Sequence, residues 1–154
     1  MQTDEAKDGT AAEGRPVPRP DQASERYWEE ARAGRLSLGR CTSCGRMQYP
    51  PEVLCTFCQG EDFEPTTLSG RGTLWSFAVV ERPFHPGFVP HLPYVVGVVE
   101  LEEQADLRML TNIVDADPAG LRVGMPVEVT FERRGDAALP QFRPAQRTGG
   151  DQPT

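Results

Sequence analysis

The chain has 154 residues, and 16 Lys and Arg against 23 Asp and Glu leave it with a formal charge of −7 at pH 7, a balance that argues against affinity built on neutralising nucleic-acid phosphates or an anionic membrane. Fifteen glycines, fifteen prolines and only 38% hydrophobic residues speak against a compact all-helical core and for a turn-rich β protein. No apolar run approaches the roughly 18 residues of a membrane-spanning helix.

Residues 1–20 carry acids and Pro16, Pro18 and Pro20 without apolar periodicity, so they read as a disordered arm. The same stretch shows neither a secretory h-region nor a basic amphipathic presequence, which makes a reducing cytoplasm the expected compartment. Over residues 21–39 the pattern predicts a docking helix and a lead-in strand. Asp21 or Ser24 caps a short helix holding Tyr27, Trp28 and Ala31, and Gly34 ends it. A helix this short cannot stand alone, so its aromatic pair has to pack on something. Leu36 and Leu38 then alternate with Ser37 and Gly39.

Residues 40–68 hold the cysteine segment, and beyond it β-branched and aromatic runs predict strands at 72–82, 94–101, 107–114 and 127–133, with a short fifth at 141–143. Val127, Val129 and Phe131 alternate with Glu128, Thr130 and Glu132, the mark of a strand with one buried face. Gly97 stands inside the second of these runs, where a bulge or sharp coil is expected. Asp117-Pro118 predicts a turn or cap in the longer excursion before the fourth. The fold expected is mainly β: a short N-terminal helix, a rubredoxin-like zinc ribbon, and a five-stranded Greek-key barrel of the OB type over 69–144. Residues 145–154 read as a disordered tail.

Cys41-Thr-Ser-Cys44 and Cys55-Thr-Phe-Cys58 are the strongest chemical signal. Each C-x-x-C folds as a knuckle whose backbone amides point at sulfur, and two facing knuckles place four thiolates at the corners of a tetrahedron. Gly45 and Gly60 are expected to supply the backbone freedom of these turns. Zinc suits the cage and stabilises a lobe too small for a core of its own. Iron in the same cage would make an electron carrier, and spacing alone leaves that alternative open together with two disulfides or unligated cysteines buried as small hydrophobes. A closed four-cysteine site has no free position at which to activate water.

The histidines, His85 and His91, lie in a proline-rich loop with Phe84 and Phe88. No hydrolase, zinc-protease or phosphate-loop motif accompanies them, so the loop reads as a preorganised contact surface for a partner or an acyl chain, or as a plug of the barrel mouth. Arg71, Arg82, Arg108 and Arg122 fall near strand ends, where a guanidinium can meet a cofactor phosphate or a partner's carboxylate. Trp75 and Phe77 offer a stacking pair for single-stranded nucleic acid, a reading that the acidic balance opposes in favour of their burial.

The order of these features resembles a known family. Tyr27-Trp28-Glu29, Gly34-Arg35-Leu36, the two knuckles with Tyr49-Pro50-Pro51 between them, and Gly70-Arg71-Gly72-Thr73-Leu74-Trp75-Ser76-Phe77 are similar to the zinc-ribbon plus OB-fold proteins that accompany acyl-CoA enzymes. The likeness continues through Pro93-Tyr94-Val95-Val96, Leu110-Thr111-Asn112, Val123-Gly124-Met125-Pro126-Val127 and Phe142-Arg143-Pro144, and covers about residues 24–145. It implies one structural zinc on Cys41, Cys44, Cys55 and Cys58. It also implies a non-catalytic subunit, separate from any hydratase domain, that partners a thiolase-like enzyme or aldolase, including those of steroid side-chain degradation, or a hot-dog-fold enoyl-CoA hydratase. Acyl-CoA would then sit at a shared site. Tyr27, Trp28, Arg71, Phe84, His85, Phe88 and His91 are the residues expected to meet partner or acyl-CoA.

Overall fold

The computed structural model describes residues 14–146, and its first regular element is the helix α1 (Glu25–Arg32). Ser24 occupies the N-cap position without a side-chain cap of its own. Instead the Asp21 carboxylate accepts from the Ser24 amide at 2.8 Å and its hydroxyl at 2.5 Å, so the two candidates act together. Gly34, at φ 78°, donates to the Ala31 carbonyl at 2.9 Å and closes the helix where a left-handed residue is needed. Tyr27 and Ala31 are buried, and Arg133 donates to the Arg32 carbonyl at 3.0 Å, tying the end of α1 to the barrel.

β1 (Ser37–Cys41) and β2 (Phe63–Thr67) form a two-stranded antiparallel sheet with Ser37 opposite Thr67 and Cys41 opposite Phe63. The lead-in strand is therefore half of the ribbon itself. β2, with the sequence FEPTT and no buried residue, carries no period-two signal and does not announce itself in the sequence.

β3 (Arg71–Val80), β4 (Tyr94–Leu101), β5 (Arg108–Ile113), β6 (Pro126–Arg134) and β7 (Ala137–Pro144) close into a barrel in the order β3-β4-β5-β7-β6. This is the expected five-stranded architecture. The last strand is longer than 141–143 because Ala137, Ala138 and Pro140 have weak strand propensity yet pair along β6. Gly135 at φ 57° opens the two-residue turn of that hairpin, the position at which glycine is favoured.

The barrel's bulge lies in β3 and not at Gly97. Leu74 faces Val99 while Ser76 faces Val98, leaving Trp75 without an opposite number. Gly97 stays in regular pairing opposite Phe77 and Thr111. A Cβ there would stand 2.6 Å from Ile113 Cγ1, so the residue is small because Ile113 and Leu74 fill the barrel at that level. Leu74, Val99, Leu101, Met109, Val127 and Phe142 make the centre of the core, and Tyr27, Leu36, Leu38 and Met47 extend it without a break beneath the ribbon.

The arm differs from expectation. Residues 1–13 and 147–154 lie outside the described residues, but 14–20 run along the barrel. Arg15 reaches Glu132 at 2.6 Å, and the Pro16 carbonyl accepts from Arg134 at 3.2 Å. The anchors are single residues matched to the β6–β7 hairpin, and such contacts leave no periodicity to read. At the other end Ala145 donates to the Pro126 carbonyl at 3.0 Å.

Candidate metal centre

The two knuckles face each other across the ribbon. The Gly45 amide donates to the Cys41 carbonyl and the Gln59 amide to the Cys55 carbonyl, both at 2.8 Å. Gly45 takes φ 77°, as expected, but in the second knuckle Gln59, at φ 62°, makes the left-handed step and not Gly60. Gly60 serves a different need. A Cβ on it would lie 3.2 Å from Cys41 Sγ and 3.1 Å from Ser43 Oγ, so its bareness lets the second loop close on the first.

All four sulfurs lie within 4.8 Å of one another. Cys41 and Cys58 are 3.5 Å apart, and Cys44 and Cys55 3.6 Å apart. These spacings are far longer than the roughly 2.05 Å of a disulfide and close to the edge of about 3.8 Å of a tetrahedron with zinc–sulfur bonds near 2.3 Å. The Cys44 and Ser43 amides aim at Cys41 and hold its thiol down at about 6. Burial pushes Cys55 up, but the Cys58 and Phe57 amides outweigh it and its pKa falls below the ordinary thiol value. The Gly60 amide pulls Cys58 down, yet the neighbouring Cys41 thiol and burial carry it up to about 12. The cage is thus built for thiolates but resists the last negative charge, a conflict that a divalent cation at its centre removes. Four thiolates fill a tetrahedral zinc completely, so the metal's work here is structural.

Two side-chain amides, one buried at Gln48 and one half-buried at Gln104, brace the cage. Gln48 donates to the Leu54 carbonyl at 2.9 Å and accepts from the Thr56 amide at 2.8 Å, linking the segment between the knuckles to the second of them. Gln104, in the β4–β5 turn, accepts from the Met47 amide at 2.8 Å and donates to the Met47 carbonyl at 2.9 Å. Sequence reading missed both glutamines, since a lone polar residue in a turn looks solvated. Met47 is fully buried, so Gln104→Ala strands a backbone donor and an acceptor together. It should cost about 2 kcal/mol of stability in denaturant unfolding while leaving the metal content unchanged.

The other residues singled out from sequence scatter. Tyr27 is buried, with its ring 5.0 Å from Trp28 and 6.0 Å from Tyr49, and it belongs to the core. Trp28 is half-buried. Arg71 lies along Glu102 at 2.8 Å, pinning the start of β3 to the end of β4. Trp75, expected inside, is 48% exposed with Arg108 over its ring at 4.0 Å, whereas Phe77 packs against the core. The bulge separates them, so they make no two-ring platform. In the 83–93 loop, which contains a 3₁₀ helix (Pro86–His91), His85 Nδ1 accepts from the Gly87 amide at 3.0 Å and caps that helix. Phe88 stacks 5.1 Å from Tyr94, His91 is exposed at the barrel mouth, and Phe84 is 89% exposed. Val53, Leu54 and Phe57, in or next to the second knuckle in sequence, are also exposed, with Arg46 over the Phe57 ring at 4.1 Å, which the sequence reading did not anticipate.

Two family models match the chain: the rubredoxin-like zinc ribbon domain of ChsH2 over residues 28–64 and the C-terminal OB-fold domain of ChsH2 over residues 66–132. A DUF35 domain-containing scaffold protein of Methanocaldococcus jannaschii is 34% identical over 115 residues, 73% of this chain and 79% of that protein. A probable enoyl-CoA hydratase alpha subunit of Thermomonospora curvata is 36% identical over 132 residues, 85% of this chain, but the chain spans only 40% of that relative's length. Among solved structures, the chain is similar to one from an Ltp2-ChsH2(DUF35) aldolase, with 33% identity, a TM-score of 0.73, and coverage of 83% of this chain and 98% of the other. Two C-x-x-C knuckles on a two-stranded ribbon, fused through one core to a closed five-stranded barrel, place the chain in the DUF35 family of ChsH2-type zinc-ribbon and OB-fold proteins.

Proposed function

We propose that the chain is a non-catalytic accessory subunit of an acyl-CoA-processing complex, partnering a thiolase-like enzyme or aldolase and helping to form its acyl-CoA site in the cytoplasm. The observation that carries this reading is the match to the Ltp2-ChsH2(DUF35) aldolase chain over 98% of its length, which takes in both ribbon and barrel. A metal held by four thiols and a fold with exposed aromatics suit a clamp better than a catalyst. Phe84, Phe88 and Trp28 are the contacts proposed for the partner, because aromatic anchors dominate interfaces. Partnership with an enoyl-CoA hydratase is the second reading, favoured by the 36% identity to the Thermomonospora hydratase alpha subunit.

The purified chain alone is expected to leave acyl-CoA thioesters unchanged. Mixed with a purified thiolase-like aldolase from the same host, it should co-elute and raise that enzyme's carbon–carbon cleavage. Turnover by the isolated chain, lost in His85→Ala or His91→Ala, would overturn the reading, as would co-elution with a hydratase and not with the aldolase.

A further inference from the structure

The segment 14–20 lies along the barrel in a groove that its own residues help to line. Arg15 lines a cavity of about 390 Å³ at the barrel mouth with Phe88, Tyr94, Asn112, Glu132 and Gln141. Its guanidinium lies on the Glu132 carboxylate at 2.6 Å. Further on, Val17, Pro18 and Pro20 share a second cavity of about 420 Å³ with Trp28, Gly135 and Ala137. Both crossings are at glycines. A Cβ on Gly87 would clash with the Gly14 carbonyl, and one on Gly135 would stand 3.3 Å from Val17.

Two features make this occupant removable. Pro16, Pro18 and Pro20 have no amide hydrogen to donate, so the segment makes few backbone hydrogen bonds to the groove that its departure would break. Glu132 also accepts from Arg134 at 3.0 Å and from Gln141 at 2.7 Å, and these partners remain when Arg15 departs. The carboxylate therefore does not become an unpaired buried charge, the condition that makes most ion pairs at this depth hard to open.

We propose that this groove is a docking site for an extended, proline-flanked protein segment bearing an arginine, and that residues 14–18 are its intramolecular placeholder, exchanged for such a segment of the partner. The chemistry of the partner segment is what the placeholder displays: a guanidinium for Glu132, a carbonyl for Arg134, a small branched side chain for the bare face of Gly135, and a stiff backbone that needs no further donors. Phe88 lines the cavity beside Arg15 and Trp28 the one beside Val17, Pro18 and Pro20, so the incoming segment would meet both rings. The inference rests on the accessory-subunit reading only for the source of the segment.

The test uses the full chain and an acetylated peptide of residues 13–20. A tethered arm competes at an effective concentration in the millimolar range, so the wild-type chain should scarcely bind the peptide. Arg15→Ala should bind it at least tenfold more tightly, with NMR shifts at the Gly87 and Gly135 amides. A peptide with alanine in place of its arginine should not bind, and Glu132→Gln added to Arg15→Ala should abolish the gain. Equal binding by wild type and Arg15→Ala, no binding by either, or indifference to the peptide's arginine would overturn the proposal. Failure of the aldolase to co-elute bears on the accessory reading instead and leaves the peptide result standing.

Discussion

Cys44→Ser is expected to lower bound zinc from about one per chain to near zero after dialysis against a chelator. Cys44 is exposed, so the change removes a ligand without opening a hole in the core, and its effect reports on the metal. Structural zinc contributes apparent folding free energies of about 10–16 kcal/mol in isolated zinc-finger peptides, more than a two-stranded ribbon with an unburied β2 can replace. The ribbon over residues 37–67 should lose its amide dispersion in NMR while the barrel keeps its own, because no cysteine belongs to the apolar cluster that packs the barrel's centre. Iron on elemental analysis, or a Cys44→Ser chain that retains full zinc, would refute the assignment.

The second large effect separates two aromatics that sequence reading grouped together. Tyr27→Ala should cost about 3–5 kcal/mol, as truncation of a buried aromatic does, because its ring is packed under Trp28 and Tyr49. Against a typical domain stability of about 5–15 kcal/mol, that loss endangers the fold. Phe84→Ala should leave thermal unfolding unchanged, since the ring is 89% exposed, but weaken partner binding by about 2 kcal/mol, roughly thirtyfold, if the loop is an anchor. Calorimetry of the free chain and titration with the aldolase distinguish the two. Early unfolding of Phe84→Ala, or unaltered binding, would remove this loop from the interface.

The fold was legible where the chemistry is local. Two C-x-x-C pairs announce the ribbon because four ligands of one metal need fixed spacing, β4 and β5 announce themselves as β-branched runs between turn residues, and β6 does so because Val127, Val129 and Phe131 alternate with polar residues. What stayed hidden depends on contacts between distant segments. β2 has no buried residue and exists because β1 offers it an edge. Trp75 reads as an inward residue until the bulge shifts the parity of β3 beyond Leu74. The conformational role assigned to Gly60 falls instead to Gln59, because Gly60 is reserved for the approach to Cys41 Sγ. Arg15, Glu132 and Gln104 carry no motif at all, since their partners lie far away in sequence.

The barrel is a ring with one thin stave joint. β5 and β7 run parallel and meet at a single residue pair, Ile113 with Phe142, helped by the Val114 amide on the Phe142 carbonyl at 2.8 Å, whereas β3 and β4 share eight pairs. Local opening is favoured where backbone pairing is sparse, so amide exchange at this joint is expected to be faster than along the β3–β4 ladder. Ile113, Val114 and Gln141 line the mouth cavity at this joint. The width of the mouth is therefore expected to depend on this single parallel contact more than on any other pairing of the barrel wall.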